Sequence, residues 1–509
     1  MKYWLGLDIG TGGSRALLVD ADGGVAGGVT TPHLDIHMER PLWAEQHPDN
    51  WWEAAADAVR AVLSQVGAQG ADIAGVGLSG QMHGLVLLDG QGSVVRPALI
   101  WCDQRSQAQV DWINATAGPD MVLEQTANPV LTGFTAPKLL WVRDHDPKSY
   151  ERTRQVLLPK DYVRFRLTGE YAGDVSDASG TALFDVVHRR WAEPLIERLG
   201  IDRSWLPRIV ESSEVAGKVT NEAAARTGLS AGTPVVAGAG DQASSAVGNG
   251  IVETGLVSCT IGTSGVVFSH LDKVAYDPEG RVHTFCHAVP GKWHVMGVTQ
   301  GAGLSLQWFR NQVAPDSVKA AEESGVDAYD ILTEQAAQAP AGSEGLFWLP
   351  YLMGERTPHL DAAARGGWVG LTAKHSRAHL IRSLIEGVSY SLKDCLEIIE
   401  SLGSKVAVVR ASGGGARSAF WRRMLAAVFD RPIATLETQE GSAYGAALLA
   451  MAGSGHYGSV AEACNATIHE KQRLEPDSTE AETYRAGYEV FQGLYPALRD
   501  TFHKIDQAG

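Results

Sequence analysis

The chain has 509 residues, more than one hydrophobic core serves well, so two or three domains of ordinary size are expected. Hydrophobic residues make up 44% and charged residues 20%, a soluble globular balance, and a net charge of −16 argues against nucleic acid or an anionic membrane surface as partner. No apolar run reaches the ~20 residues of a spanning helix, the first strand leaves no room for a signal peptide, and the five scattered cysteines have no metal spacing, so a reduced, cytoplasmic protein is expected.

In chain order, strands are expected at 3–9 and 14–20, a helix at about 49–67 with Asp49 or Asn50 as N-cap, and strands at 74–78 and 84–89. Segment 101–230 mixes helices and loops and reads as an insertion lying over the sheet. Within it a helix starts at Ala136, and a strand at Gln155–Leu158 leads into Pro159-Lys-Asp-Tyr162. A strand at Pro234–Ala237 precedes Gly240-Asp241 and a small-residue helix, followed by a hairpin over Leu256–Phe268. Helices are expected at 300–312, 375–402 and 417–429, with a strand at Val406–Arg410 before Ser412-Gly-Gly-Gly415. Small residues at helical spacing from Gly441 to Ala447 read as a close-packed helix behind a nucleotide, and an amphipathic helix over about 478–503 ends the chain. No linker or low-complexity tract separates the halves.

Two of these segments look like copies of one device. Tyr3–Val19 and Leu256–Phe268 each run apolar strand, Gly-Thr-Gly or Gly-Thr-Ser-Gly, apolar strand. Such hairpin tips let backbone N–H groups crowd an anion, and Thr or Ser adds hydroxyl donors. A matched pair implies two similar domains facing a shared polyphosphate. Asp241 ends a strand where the backbone turns sharply; a carboxylate there accepts a proton from an attacking hydroxyl or caps the following helix. Asp8, just before the first clamp, reads as a metal-binding or a turn residue.

The chain resembles the FGGY family of carbohydrate kinases almost end to end. Gly133–His145 resembles the family's first signature, and Gly367–Thr372 through Leu384–Val388 its second. Gly80-Gln-Met-His-Gly84, Leu158–Tyr162 and Gly354-Glu-Arg-Thr-Pro358 are most similar to its xylulokinase branch. The resemblance implies an α/β architecture of two actin-like ATPase (ribonuclease H-like) domains, 1–246 and 247–509, with a cleft between them. It implies ATP-dependent phosphorylation of the 5-hydroxyl of D-xylulose; ribulose, fuculose or glycerol are alternative acceptors for the same machinery. Chaperone-like or filament-forming ATPases share the fold but lack a sugar pocket.

The resemblance also places roles. Asp241 becomes the catalytic base and, with Asp8, a Mg²⁺ site. Thr11, Gly12, Gly13, Ser14 and Arg15 face the terminal phosphates from the first domain, and Gly262, Thr263 and Ser264 from the second. Gly303, Gln307, Gly414, Gly415, Arg417 and Ser418 contact the rest of ATP. Met82, His83, Trp101, Asp103, Asp241 and Gln242 surround the sugar. Lys160-Asp161 and Glu355-Arg356 read as motif residues whose local pattern is equally that of surface ion pairs. Sugar and ATP are the expected small-molecule partners; the subunit count, a homodimer included, is left open.

Overall fold

The computed structural model describes residues 1–438 and 440–508. The first hairpin forms as expected, Tyr3–Ile9 against Gly13–Asp20, with Asp8 opposite Arg15 and Ile9 opposite Ser14. Val25–Pro32 extends this edge; its paired glycines and threonines give it no apolar signature, and sequence reading missed it. On the other side Ile73–Gly80 lies parallel to the first strand, and Pro234–Val236 follows parallel to that. The second half repeats the order: Trp293–Thr299, Gly265–Leu271 and Gly255–Ile261 antiparallel, then Val406–Ser412 and Ile433–Leu436 parallel. The duplication seen in two short hairpins thus extends over five strands of each sheet.

Two small-residue helices, Asp241–Gly248 and Gly441–Gly453, cross each other between the sheets. A Cβ at Gly6 or Gly77 would lie 1.9 Å from a backbone oxygen of the second helix, and one at Gly445 would lie 1.8 Å from the Ser244 oxygen. Glycine is required because the contacts are with backbone, which cannot rotate away. The sequence suggested a helix behind a nucleotide at Gly441–Ala447; the structure shows the Gly441–Gly453 helix packed against Gly6 and Gly77 of the first sheet. It lies on the first sheet and ties the two halves together.

Three further expectations are corrected. Helix Pro48–Val66 is capped by His47, whose Nδ1 accepts from the Asp49 N–H, while Asp49 itself pairs with Arg166 and Tyr162. The segment 101–230 does not merely overlie the sheet. Its Val215–Lys218 joins the first sheet's edge, and its buried Phe134, Leu183 and Phe184 share a core with Phe268, Phe285 and Met296 of the second half. Lys160 and Asp161 are fully interior. Among the described residues no helix is long and apolar enough to cross a membrane.

Candidate active site

The ends of the parallel strands carry the chemistry. Asp8 lies opposite Ser79, with its Oδ1 buried and without a hydrogen-bond partner among the described residues. Burial pushes its pKa up, with the Ser79 hydroxyl and the Arg15 charge opposing. Asp241 is the first residue of its helix; burial, then the charge of Asp8, push it up to about 7. The second half has the equivalent of Asp8 at Thr260, opposite Ser412, and there the two hydroxyls bond each other at 2.9 Å. Only the first copy leaves an acidic oxygen unpaired, which is the condition a cation would satisfy.

The turn before Asp241 is tightly built. Gly238 has φ +82°, and a Cβ there would sit 2.2 Å from the Leu78 oxygen, so the chain reverses where only glycine fits. Met82 packs against Gly240, bringing the 80–84 loop onto the same turn. The Ser442 hydroxyl donates to the Asp241 carbonyl at 3.1 Å, anchoring this position to the crossing helix.

In the first clamp, Gly10 N–H donates to the Gly13 carbonyl and closes the tip, leaving open space around the Cα of Gly12. Gln46 and Gln81 brace the loop from beneath by donating to the carbonyls of Thr11 and Gly10. Sequence reasoning missed Gln46 and read Gln81 only as part of the 80–84 motif. Two expectations change. Ser14 is buried with its hydroxyl 2.9 Å from His33 Nε2, so its side chain points away from the cleft. Arg15 donates through Nε and Nη2 to Glu440 at 2.9 and 2.6 Å, spending its fork on an ion pair between the halves.

In the second half a cavity of about 410 Å³ collects residues that are far apart in sequence. Gly262, Thr263, Gly303, Gln307, Gly414, Gly415, Arg417 and Ser418 all line it; Ser264, on the same hairpin tip, does not. Gly303 donates to the Gly262 carbonyl at 2.8 Å, and a Cβ there would meet that oxygen at 2.4 Å, so tip and helix start interlock. The Ser418 hydroxyl accepts from Trp421 N–H and caps helix Ala419–Phe429. The opposite wall comes from Ala328–Ala336 through Tyr329, Asp330 and Thr333, with Asp327 at its N-cap. None of these four stood out in the sequence, where no element was expected between the helices at 300–312 and 375–402.

On the other side of the carboxylates, His83 holds φ +68°, a strained value for a non-glycine residue. Its Nδ1 lies 2.7 Å from the Gly180 carbonyl, which only accepts, so Nδ1 carries the proton. Burial lowers its pKa to about 3. The ring is neutral, stacked on Phe134 at 4.8 Å, and offers Nε2 as an acceptor for a hydroxyl. Trp101 is half exposed and donates from Nε1 to the Thr11 hydroxyl at 2.9 Å, which links this region to the first hairpin tip. Gln242 follows Asp241 in the first helical turn. Asp103 does not serve as a hydroxyl acceptor. It is fully buried, and its oxygens receive the Arg105 guanidinium and the backbone N–H groups of Ala44 and Arg105. The site residues thus comprise two electrostatically coupled carboxylates, a cavity of about 410 Å³ in the second half, and the neutral His83 ring stacked on Phe134 in the first.

The family model for the N-terminal domain of the FGGY carbohydrate kinases matches residues 3–248, and that for the C-terminal domain matches residues 257–454. The chain is 37% identical to the xylulose kinase of Bacillus subtilis (strain 168) over 98% of both chains. It is 38% identical to that of Escherichia coli (strain K12), covering 97% of this chain and 99% of the relative. A crystal structure of a xyloylose kinase from Brucella ovis superposes with a TM-score of 0.90 at 37% identity, covering 98% of this chain and all of that one. With both family models matched and the fold shared, the chain belongs to the FGGY family of carbohydrate kinases.

Proposed function

We propose that this protein transfers the terminal phosphoryl group of ATP to the 5-hydroxyl of D-xylulose, giving D-xylulose 5-phosphate and ADP. The observation that carries this reading is Asp241 at the head of its helix, on the turn against which Met82 of the 80–84 loop packs, in a chain resembling xylulose kinases over nearly its full length. Asp241 accepts the proton of the attacking hydroxyl; a carboxylate held near pH 7 is matched to that task. His83 Nε2 accepts from a sugar hydroxyl, and Trp101 offers a flat face to the carbon skeleton. The two hairpins hold the phosphates, with Thr263 on the second and the N–H groups about Gly12 on the first.

Asp8 and Asp241 fit Mg²⁺: one has a buried oxygen without a partner, the other a pKa raised by burial and then by its neighbour's charge. When bound, the ion offsets negative charge on the transferred phosphoryl group. Five unpaired cysteines support a reducing compartment, the cytoplasm. A coupled ADP-release assay over pentoses, pentuloses, polyols and gluconate tests the reading. D-Xylulose should give the highest kcat/KM by at least tenfold; a higher value for any other acceptor overturns the substrate assignment while leaving the kinase.

A further inference from the structure

Behind the turn that presents Asp241 lies a charged cluster with no access to solvent. Lys160 Nζ stands 2.6 Å from Asp161 and from Asp174 and 3.2 Å from Asp177, and Arg164 joins Asp161 at 3.0 Å. The three carboxylates converge closely enough for a metal ion, but the ammonium already occupies their centre. Burial, helped by the two neighbouring carboxylates, holds Asp177 well above the usual range. Burying such groups is expensive, and apolar packing of the same volume is often at least as stable. The cost points to a role in specificity of shape.

Its contacts identify that role. Asp174 Oδ1 accepts from the Ser176 hydroxyl at 2.5 Å, and the Ser176 oxygen in turn accepts from Gly240 N–H at 3.1 Å. Arg164 Nη1 donates to the Ala237 carbonyl at 2.9 Å. The peptide from 237 to 240 is thus gripped at both ends, and the next residue is Asp241. The same short segment that carries Asp174 and Ser176 ends at Gly180, whose carbonyl receives His83 Nδ1 at 2.7 Å. We propose that Asp174 and Ser176, held by Lys160, are positioning residues: segment 174–181 is a strut that sets the distance between the sugar-holding His83 and Asp241. The proposal rests on Asp241 being the proton acceptor.

The test is a mutant cycle of Ser176→Ala and Asp174→Asn, read by steady-state kinetics in both substrates and by thermal melting. Misplacing a reacting group by about 1 Å costs up to ~10²-fold in rate, so Ser176→Ala should lower kcat at least tenfold. Both KM values should stay within about twofold. Because the two side chains act in series, the double variant should lose no more than the worse single one; independent defects would multiply. Ser176→Ala alone suffices if Asp174→Asn does not fold. Wild-type kcat in folded Ser176→Ala, raised KM values with unchanged kcat, or a multiplicative double variant would each overturn the strut. Asp241→Asn serves as the reference. Turnover retained in that variant refutes the base assignment itself, whereas an inactive Asp241→Asn beside an unimpaired Ser176→Ala refutes only the strut.

Discussion

Asp241, His83 and Glu355 owe their states chiefly to burial, and each gives a separate prediction. Asp241→Asn keeps the shape of the side chain and removes the proton acceptor, so sugar-dependent ADP release should fall by ~10²–10⁴. ATP binding, measured by calorimetry, should persist. His83→Ala removes one acceptor for the sugar, worth ~0.5–1.5 kcal/mol. It should raise the KM for D-xylulose by about two- to tenfold and leave the KM for ATP unchanged; the reverse pattern would put the sugar elsewhere. Glu355, in the 354–358 loop, is buried and accepts from the N–H groups of Gln300 and Arg356 and from the Ser391 hydroxyl. Burial pushes its pKa from 4.5 to about 8. A carboxyl raised on folding contributes stability that is complete below its unfolded pKa and is lost as pH rises through the folded one. Between pH 5 and 9 it therefore withdraws on the order of a few kcal/mol. Glu355→Gln, whose amide oxygen still accepts both N–H groups and whose NH₂ meets Ser391, should flatten that decline. Urea unfolding at pH 5, 7 and 9 measures it; the variant should be the more stable form at pH 9.

At the scale of elements, the crossing helices set the sharpest steric demand. Replacing a helical glycine by alanine ordinarily stabilises by ~1 kcal/mol. At Gly445 the new methyl would meet the Ser244 oxygen at 1.8 Å, and overpacking of that kind costs about 1–3 kcal/mol or more. Gly445→Ala should thus lower the melting temperature, while Gly493→Ala, with nothing within 4 Å in helix Ser478–Ala508, should raise it slightly. A rise at both sites would mean that the helix crossing tolerates separation. The same contrast explains what the sequence made legible. Hairpin tips, strand-end carboxylates and long amphipathic helices carry their meaning in neighbouring residues, and the clamps, Asp8, Asp241 and Arg377–Ser401 were readable for that reason. Arg15 looked like a phosphate ligand because its partner Glu440 lies 425 positions away. Lys160 looked like a surface residue because Asp174 and Asp177 share no periodicity with it. Asp103 had its partner only two residues on, yet only the folded loop shows that Arg105 and Ala44 consume its lone pairs.

The whole molecule is a duplication whose copies have diverged in charge. Strand order, hairpin tips and crossing helices repeat, but Asp8 answers to Thr260, and Asp241, opening the first crossing helix, answers to Gly441, opening the second. The acid chemistry sits in the first half and the nucleotide-sized cavity in the second. Under the proposed function, a polyphosphate is held by both tips at once. The halves are joined by the half-exposed Arg15–Glu440 pair, by the glycine-lined helix crossing and by the core that Phe134, Leu183 and Phe184 share with Phe268, Phe285 and Met296, so any closure pivots about these contacts. Sugar and nucleotide together should draw the halves inward and exclude water that would otherwise compete for the phosphoryl group. ATPase activity without sugar should accordingly be far below the sugar-stimulated rate. Small-angle scattering should give a smaller radius of gyration with D-xylulose and a non-hydrolysable ATP analogue than for the free protein. Because a free form already closed would hide that change, the deciding variant is Thr263→Ala with Ser264→Ala. It removes hydroxyl donors from the second tip and leaves Asp8, Asp241 and His83 untouched. ATP affinity and phosphoryl transfer should both fall, with sugar binding preserved. If both are unaffected, the second tip is only a turn, and phosphate is held from the first half alone.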